Sequence, residues 1–123
     1  MRAKSRGAME EEITQAVIRF EKEYMGRGPL EARTYLVDDM VLVRLKNVLT
    51  PAEHKLAAGP DPARGRDLIK QLRQQLVESG APLLLAVVRD VTGVGVRSLH
   101  TDISTRTGER VFVFSLDDKP EFG

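Results

Sequence analysis

Three residues that often do chemistry together, Ser98, His100 and Asp102, alternate along one predicted strand. A serine nucleophile, a histidine base and an orienting aspartate are the parts of a hydrolytic triad. Alternate residues on a strand stand about 7 Å apart and point in parallel, whereas a nucleophile and its base must approach to about 3 Å. The Gly-x-Ser-x-Gly elbow of many hydrolases is also missing. We therefore expect a polar surface that faces solvent or a ligand, and we assign no catalytic residue.

A metal site needs more ligands than this sequence brings together. The two histidines, His54 and His100, are far apart, and His100 with Asp102 would supply two ligands where a protein zinc site has three or four. The chain has no cysteine, which excludes disulfides, thiolate metal sites and a cysteine nucleophile. We expect neither a metal nor another cofactor.

Two glycine-rich segments and one polar turn could be mistaken for anion-binding loops. Residues 26–28 and 93–95 are Gly-x-Gly segments that follow predicted helices. A dinucleotide loop has the opposite order, with the helix last, so both are interpreted as helix C-caps. Residues 104–110 are rich in turn formers, with Gly108 available for a positive φ. The arginines of this turn, Arg106 and Arg110, and its three hydroxyls could instead contact an anion or a partner.

Apolar residues at helical spacing predict the helices. The first stripe is Ile13, Ala16, Val17, Phe20 and Tyr24, with Glu21 among the polar positions; the second is Leu68, Ile69, Leu72, Leu76 and Val77, with Arg73 among the polar positions. Residues 79–82 should end the second helix. A further helix, from Pro82 to about Val91, is apolar nearly all round and is expected to be central. Between the first two helices, Thr50 and Glu53 form a predicted capping box that starts a short helix.

Two predicted hairpins supply the sheet, and the first turns at Asp38 and Asp39. The inward residues are expected to be Val41, Val43 and Leu45 in one strand and Phe112, Phe114 and Leu116 in the last. The opposite face, with Met40, Leu42, Val111 and Val113, is only half polar, which indicates a second layer or a partner subunit. The chain thus predicts an α+β fold: a two-layer sandwich with helices on a four-stranded, mainly antiparallel sheet, built as an internal helix–hairpin pseudo-repeat.

Length and composition bound the remaining possibilities. A chain of 123 residues that is 41% hydrophobic can bury one core, so we expect one domain at residues 9–117, a flexible basic arm at 1–8 and a tail at 118–123. The net charge of +1 gives no argument for nucleic-acid binding. The longest apolar run, residues 83–88, is far shorter than the roughly 18 residues of a membrane span. We expect a soluble cytoplasmic protein, at most peripheral to a membrane.

Four motifs in order resemble a bacterial family of small proteins. They are residues 24–29 (Tyr-Met-Gly-Arg-Gly-Pro), 38–41 (Asp-Asp-Met-Val), 49–53 (Leu-Thr-Pro-Ala-Glu), and 100–104 (His-Thr-Asp-Ile-Ser) followed by 107–109 (Thr-Gly-Glu). The family is MpsC-like, a domain-of-unknown-function family named for a component of a sodium-translocating, membrane-potential-generating system. The resemblance covers nearly the whole chain.

The resemblance implies work beside membrane transporters in cation or inorganic-carbon uptake, and it carries over no catalytic residue. The motif residues expected to bind a ligand or partner are Arg27, Asp38, Asp39, His100, Asp102, Ser104, Thr105 and Thr107. The favoured reading is a non-enzymatic accessory or regulatory protein, homodimeric through its half-apolar sheet face, that binds a partner protein or a small anion. One alternative is a small enzyme that uses His100 as acid or base with Asp102 orienting it. A third is RNA binding, through Arg27, Arg64, Arg66, Arg73 and Arg106, but aromatic residues for base stacking are scarce.

Overall fold

The computed structural model describes residues 4–123 as a four-stranded antiparallel sheet and three helices, which confirms the predicted α+β class. The elements are α1 (Arg6–Met25), β1 (Glu31–Val37), β2 (Met40–Lys46), α2 (Pro51–Ala57), α3 (Pro62–Thr92), β3 (Val96–Ile103) and β4 (Arg110–Leu116). The strand order is β1-β2-β4-β3, so the second strand of each hairpin is central and the first lies at an edge. Each copy of the pseudo-repeat is a helix followed by a hairpin: α1 with β1 and β2, and α3 with β3 and β4.

The two ends of the described chain, residues 4–123, contact each other. Of the proposed arm, residues 1–3 lie outside the described residues, while Ser5 caps α1 and the helix begins at Arg6. The last residues return to this end of the chain, because the Gly123 N–H donates to the Lys4 carbonyl at 2.9 Å.

Both helix–strand junctions use the predicted glycine caps. Gly26 and Gly93 adopt left-handed φ values of 78° and 73°, and their N–H groups donate to the carbonyls of Lys22 and Arg89. A residue with a Cβ would be strained in this conformation. The carbonyl ends of α1 and α3 therefore face these loops, which is the wrong polarity for an anion.

The turns and the short helix also follow the sequence signals. Val37 pairs with Met40, which leaves Asp38 and Asp39 as a two-residue turn. At the start of α2 the Thr50 hydroxyl accepts from the Glu53 N–H, and the Glu53 carboxylate accepts from the Thr50 N–H. The predicted capping box is confirmed.

The expected break at residues 79–82 is wrong, because α3 is one helix of 31 residues that runs through Pro82. A proline inside a helix costs about 3 kcal/mol, but Val77 and Leu84 on either side of it are both buried. Gly80 faces α1, where a Cβ would overlap the Phe20 ring. The glycine is thus a close-packing residue, and continuous burial along the helix offsets the cost of the proline.

The buried face of α3 is also rotated from the expected one. Leu68 and Leu72, expected in the buried stripe, are 41% and 54% exposed, and after Pro82 the helix is buried on one face only, since Leu83 is 50% exposed while Leu84 and Val88 are buried. The buried positions are Gly65, Ile69, Arg73, Val77, Gly80, Leu84, Val88 and Thr92. The exposed leucines lie beside this stripe, and the reason for the rotation is that Gly65 and Gly80 allow α2 and α1 to approach.

The inward sheet residues are as predicted. Val41, Val43, Leu45, Phe112, Phe114 and Leu116 are all 1% exposed or less and join the helices in one core. The Phe20 ring of α1 meets the Phe112 ring edge-on at a centroid distance of 6.3 Å. The core therefore lies between the helices and this face of the sheet.

Replacing Phe114 by alanine should lower the free energy of unfolding by about 3–5 kcal/mol, because a fully buried ring is removed from the centre of the core. Urea unfolding followed by circular dichroism measures the change. Val113→Ala, one residue away on the opposite face, is the matched control and should cost about 1 kcal/mol. Equal losses in the two variants would contradict the register.

Candidate functional site

The face of the sheet opposite the core, here called the open face, collects most of the residues with chemical potential. The strand registers place its side chains in three rows across β1, β2, β4 and β3. The rows are Arg33, Arg44, Val111 and Asp102; Tyr35, Leu42, Val113 and His100; and Val37, Met40, Ser115 and Ser98. All twelve side chains are half-buried or exposed. Apart from Arg44 and Ser115, the central strands present apolar side chains to this face, and Arg33 and Asp102 place opposite charges at its two edges.

The Ser98–His100 distance departs from the expectation. The Ser98 Oγ lies 3.3 Å from the His100 Nε2, so the argument that strand spacing keeps these groups apart is wrong. Side chains lean along a strand, and that lean closes the gap. The contact is exposed, and it joins two of the three triad residue types.

Asp102 does not complete a triad in this arrangement. Its Oδ1 accepts from the Lys70 Nζ at 3.2 Å and from the Ile103 N–H at 2.8 Å. The Ile103 hydrogen bond, with help from Lys70, holds the pKa of Asp102 below its usual value. The carboxylate is therefore turned toward α3 and its own backbone.

The hydroxyls of the β3–β4 connection have a local structural role. The Ser104 Oγ accepts from the Thr107 N–H at 3.2 Å, and the Thr107 Oγ1 accepts from the Glu109 N–H at 3.2 Å. Gly108 has the expected positive φ of 74°. Thr105 is half-buried in the same connection. Turn geometry thus accounts for Ser104 and Thr107, and their binding role stays a prediction.

The remaining predicted residues lie apart from β3. The Arg27 Nη1 donates to the Leu49 carbonyl at 2.6 Å, which ties the α1–β1 loop to the segment before α2. Asp38 is exposed with a φ of 52°, and the Asp39 carbonyl accepts from the Leu116 N–H. The structure therefore gathers His100, Asp102 and the 104–107 turn along β3 and its following turn, and it leaves the other three outside that group.

Sequence reasoning missed a buried charge cluster under the helices. Arg73, expected on a polar face, is 1% exposed, and Glu21, also expected there, is fully buried. The Arg73 guanidinium donates to both oxygens of Glu53 at 2.8 and 2.6 Å, to the Glu21 Oε1 at 3.2 Å and to the Val48 carbonyl at 2.9 Å. The sequence contained one indication that Arg73 is buried. It lies four residues from both Ile69 and Val77, which places it on the apolar stripe of the helix.

The two carboxylates of this cluster respond differently to burial. Burial alone would raise the pKa of Glu53, but hydrogen bonds from Arg73 and Thr50 outweigh it, and the pKa lies below the usual value. Burial dominates for Glu21 and raises its pKa, against the attraction of Arg110 and Arg73. Glu53 is therefore the ionised partner of Arg73.

Arg110 is the second buried arginine. The sequence placed it in the polar turn of residues 104–110, but it begins β4 and is buried. It is 2% exposed, and its guanidinium carbon lies 4.9 Å from the centroid of the Phe112 ring. Burial lowers its pKa to about 10. Its Nε and Nη1 are buried without a hydrogen-bond partner within residues 4–123.

A cleft of about 570 Å³ runs between α3 and the edge strand β3. Its apolar walls are Val77, Ala81, Leu99 and Ile103, and its charged lining residues are Lys70, Arg73, Glu78, Asp102 and Arg110. Arg110 therefore connects the buried cluster to a space large enough for a small molecule.

Other classes of site find less support in the geometry. Within the part of the chain that the structure describes, no three His, Asp or Glu side chains gather as metal ligands. Among residues 4–123, no helix combines the length and apolar character needed to cross a bilayer. The arginines proposed for RNA binding are divided, since Arg73 is buried and Arg27 is bound to Leu49.

The chain belongs to the MpsC family, described as a Na+-translocating membrane potential-generating system, which matches residues 5–118. The match spans every helix and strand.

One similar protein is the uncharacterized protein YbcI of Bacillus subtilis (strain 168). It is 45% identical over 113 residues, which cover 92% of this chain and 89% of YbcI. No solved structure matches the chain significantly.

Glu53→Gln should lower the free energy of unfolding by about 3–5 kcal/mol at pH 7, because the neutral amide leaves a buried arginine short of its main counter-ion. Glu78→Gln, an exposed change on α3, is the matched control and should have little effect. Chemical denaturation of both variants makes the comparison.

The same variant predicts a change in pH dependence. The folded pKa of Glu53 is lowered, so its ionised form stabilises the fold above about pH 4.3 and this contribution is lost as the pH falls through the folded value. Stability of the parent should therefore fall more steeply with acid than that of Glu53→Gln. Parallel curves would contradict the ionised state of Glu53.

Proposed function

We propose that the protein is a non-enzymatic accessory or regulatory component of a sodium-translocating, membrane-potential-generating system, and that it acts by binding a partner protein or a small anion. Family membership supports the link to that system. The observation that carries the binding role is the open face, where an apolar centre is left half-exposed between charged edges. We further propose a cytoplasmic location beside a membrane transporter of cations or inorganic carbon.

The partner that best fits the open face is a second copy of the chain. A two-fold axis parallel to the strands, between β2 and β4, would lay β1 of one copy over β3 of the other while keeping each row opposite itself. Arg33 would then face the partner's Asp102, and Tyr35 would face the partner's His100. Leu42 and Val113 would meet in the centre. The edge charges and the apolar centre are thus self-complementary, while Arg44, which pairs with Glu109, would lie over the partner's Val111.

Light scattering at high micromolar concentration should report a dimer, and Leu42→Glu should weaken it, because the interface would bury an unpaired charge. Leu72→Glu is the matched control, since it places the same charge on the exposed leucines of α3. A monomeric parent would sink this arrangement, and dissociation by Leu72→Glu alone would move the interface to the helices.

A charge exchange tests the orientation of the two copies. Arg33→Asp and Asp102→Arg should each weaken the dimer, whereas the double variant should recover it, because the opposed pair is restored with its signs reversed. Analytical ultracentrifugation provides the dissociation constants. A double variant weaker than both single ones would contradict the proposed axis.

The cellular role is tested by deleting the gene in its host and restoring the parent chain, Leu42→Glu or His100→Ala. Sodium-dependent membrane potential, followed with a potential-sensitive dye, should fall in the deletion strain and return with the parent. His100→Ala should fold normally and restore the potential less well. A deletion strain with an unchanged potential would remove the proposed link to the system.

One specific contact favours a second candidate, a small enzyme that uses His100. The Ser98 Oγ at 3.3 Å from the His100 Nε2 is near the distance that a base needs to accept a proton from a hydroxyl. A screen of ester, amide and phosphoester substrates with the parent, Ser98→Ala and His100→Ala separates the two proposals. Turnover that both substitutions abolish would establish the enzyme in place of the accessory protein.

A further inference from the structure

The side chain of Arg110 is built into the fold without the partners that a buried arginine requires. Its Nε and Nη1 donors are buried and unpaired, and the residue is 2% exposed. A buried charge without hydrogen-bond partners lowers the stability of a fold, so its presence requires an explanation, such as a bound ligand. Glu53 bonds to Arg73 through both oxygens and Glu21 through its Oε1, while the Glu21 Oε2 is also buried without a hydrogen-bond partner within residues 4–123.

The charge balance around the cleft favours a single negative charge. Glu53, the ionised partner, is bidentate with Arg73, and Asp102 pairs with Lys70 at 3.2 Å. Arg110 makes no ion pair within residues 4–123. Arg110 is therefore the cationic group of the lining that has no bonded carboxylate, although Glu21 lies near enough for its charge to act on it, and the acidic Glu78 at the same cleft opposes a more highly charged ligand.

The walls of the cleft define the rest of the ligand. Val77, Ala81, Leu99 and Ile103 line it, and a volume of about 570 Å³ is in the range of small-molecule sites. A bare inorganic ion would leave these walls in contact with water only. A ligand with an apolar body would cover them while its head group reached the guanidinium.

We propose that the cleft between α3 and β3 binds a small monocarboxylate with an apolar body, whose carboxylate is held by Arg110. Arginine donors suit a carboxylate, and a charge-assisted hydrogen bond in a partly buried site is stronger than one in water. This site deepens the anion-binding part of the proposed function, and it lies at the edge of the open face, with which it shares His100 and Asp102.

The probe is hexanoate, titrated into the full-length chain and followed by NMR of the arginine Nε–H groups. The Arg110 resonance should shift and saturate. Acetate should bind at least tenfold more weakly, since each buried CH₂ adds roughly a factor of four. Hexanol, of equal chain length and no charge, should also bind at least tenfold more weakly. Equal binding of hexanol, equal binding of acetate, or no saturation with hexanoate would each overturn the proposal.

Arg110→Met should abolish hexanoate binding and leave the melting temperature equal or higher, because an apolar side chain replaces an unpaired buried charge. Arg110→Lys, which keeps a charge, should bind with an intermediate affinity and decides the question if the methionine variant does not fold. Arg106→Met, at an exposed arginine of the preceding turn, is the matched control and should bind like the parent. A folded Arg110→Met with unchanged affinity, or one with a clearly lower melting temperature, would show that Arg110 is structural.

The dimer proposal and the ligand proposal are tested by separate experiments. Hexanoate binding to Leu42→Glu should match that of the parent, because Leu42 lies on the open face, away from the cleft lining. Loss of binding in that variant would contradict a ligand site that one copy of the chain forms alone. Absence of hexanoate binding would overturn the ligand proposal only, because light scattering tests the dimer independently.

Discussion

The hydrogen bonds of Arg73 join the three helices and the β2–α2 connection. One guanidinium from α3 is bound by Glu53 of α2, Glu21 of α1 and the carbonyl of Val48. Glu53 also accepts from the Thr50 N–H, so the carboxylate that starts α2 holds the helix against α3. Removing one member of a buried ion pair lowers stability far more than replacing both members with apolar residues. The cluster therefore fixes how the helices sit on the sheet.

Close packing of the helices follows from the same constraint. Arg73 reaches Glu53 and Glu21 together only if α1 and α2 approach α3, and Gly80 and Gly65 provide that approach by lacking a Cβ. The continuation of α3 through Pro82 belongs to this arrangement, since buried residues on both sides of the proline hold the helix in one register. Arg110 takes part in none of these hydrogen bonds, although the charge of Glu21 raises its pKa against the larger effect of burial.

The sequence was sufficient for the parts of the fold that local chemistry decides. Alternation of apolar residues identified the inward strand residues, and Gly26, Gly93, Gly108 and the Thr50–Glu53 box behaved as their conformational preferences require. Tertiary contacts decided the rest. Arg73 occupies a core position because Glu53, Glu21 and the Val48 carbonyl accept from its guanidinium, and a pattern of polar and apolar residues cannot express that. The Ser98–His100 contact was missed because ideal strand spacing ignores the lean of side chains.

The edge strand β3 belongs to both proposed sites, which share His100 and Asp102. Leu99, Thr101 and Ile103 line the cleft, Ser98 belongs to the open face, and His100 belongs to both. Asp102 faces Lys70 across the cleft, and in the symmetric pair of sheets it would also face the partner's Arg33. Because the Lys70–Asp102 pair is largely exposed, it contributes little to stability. Exchange of Asp102 between the two cations would therefore cost the fold little, and it would release Lys70 at the cleft when the partner's Arg33 takes up the carboxylate.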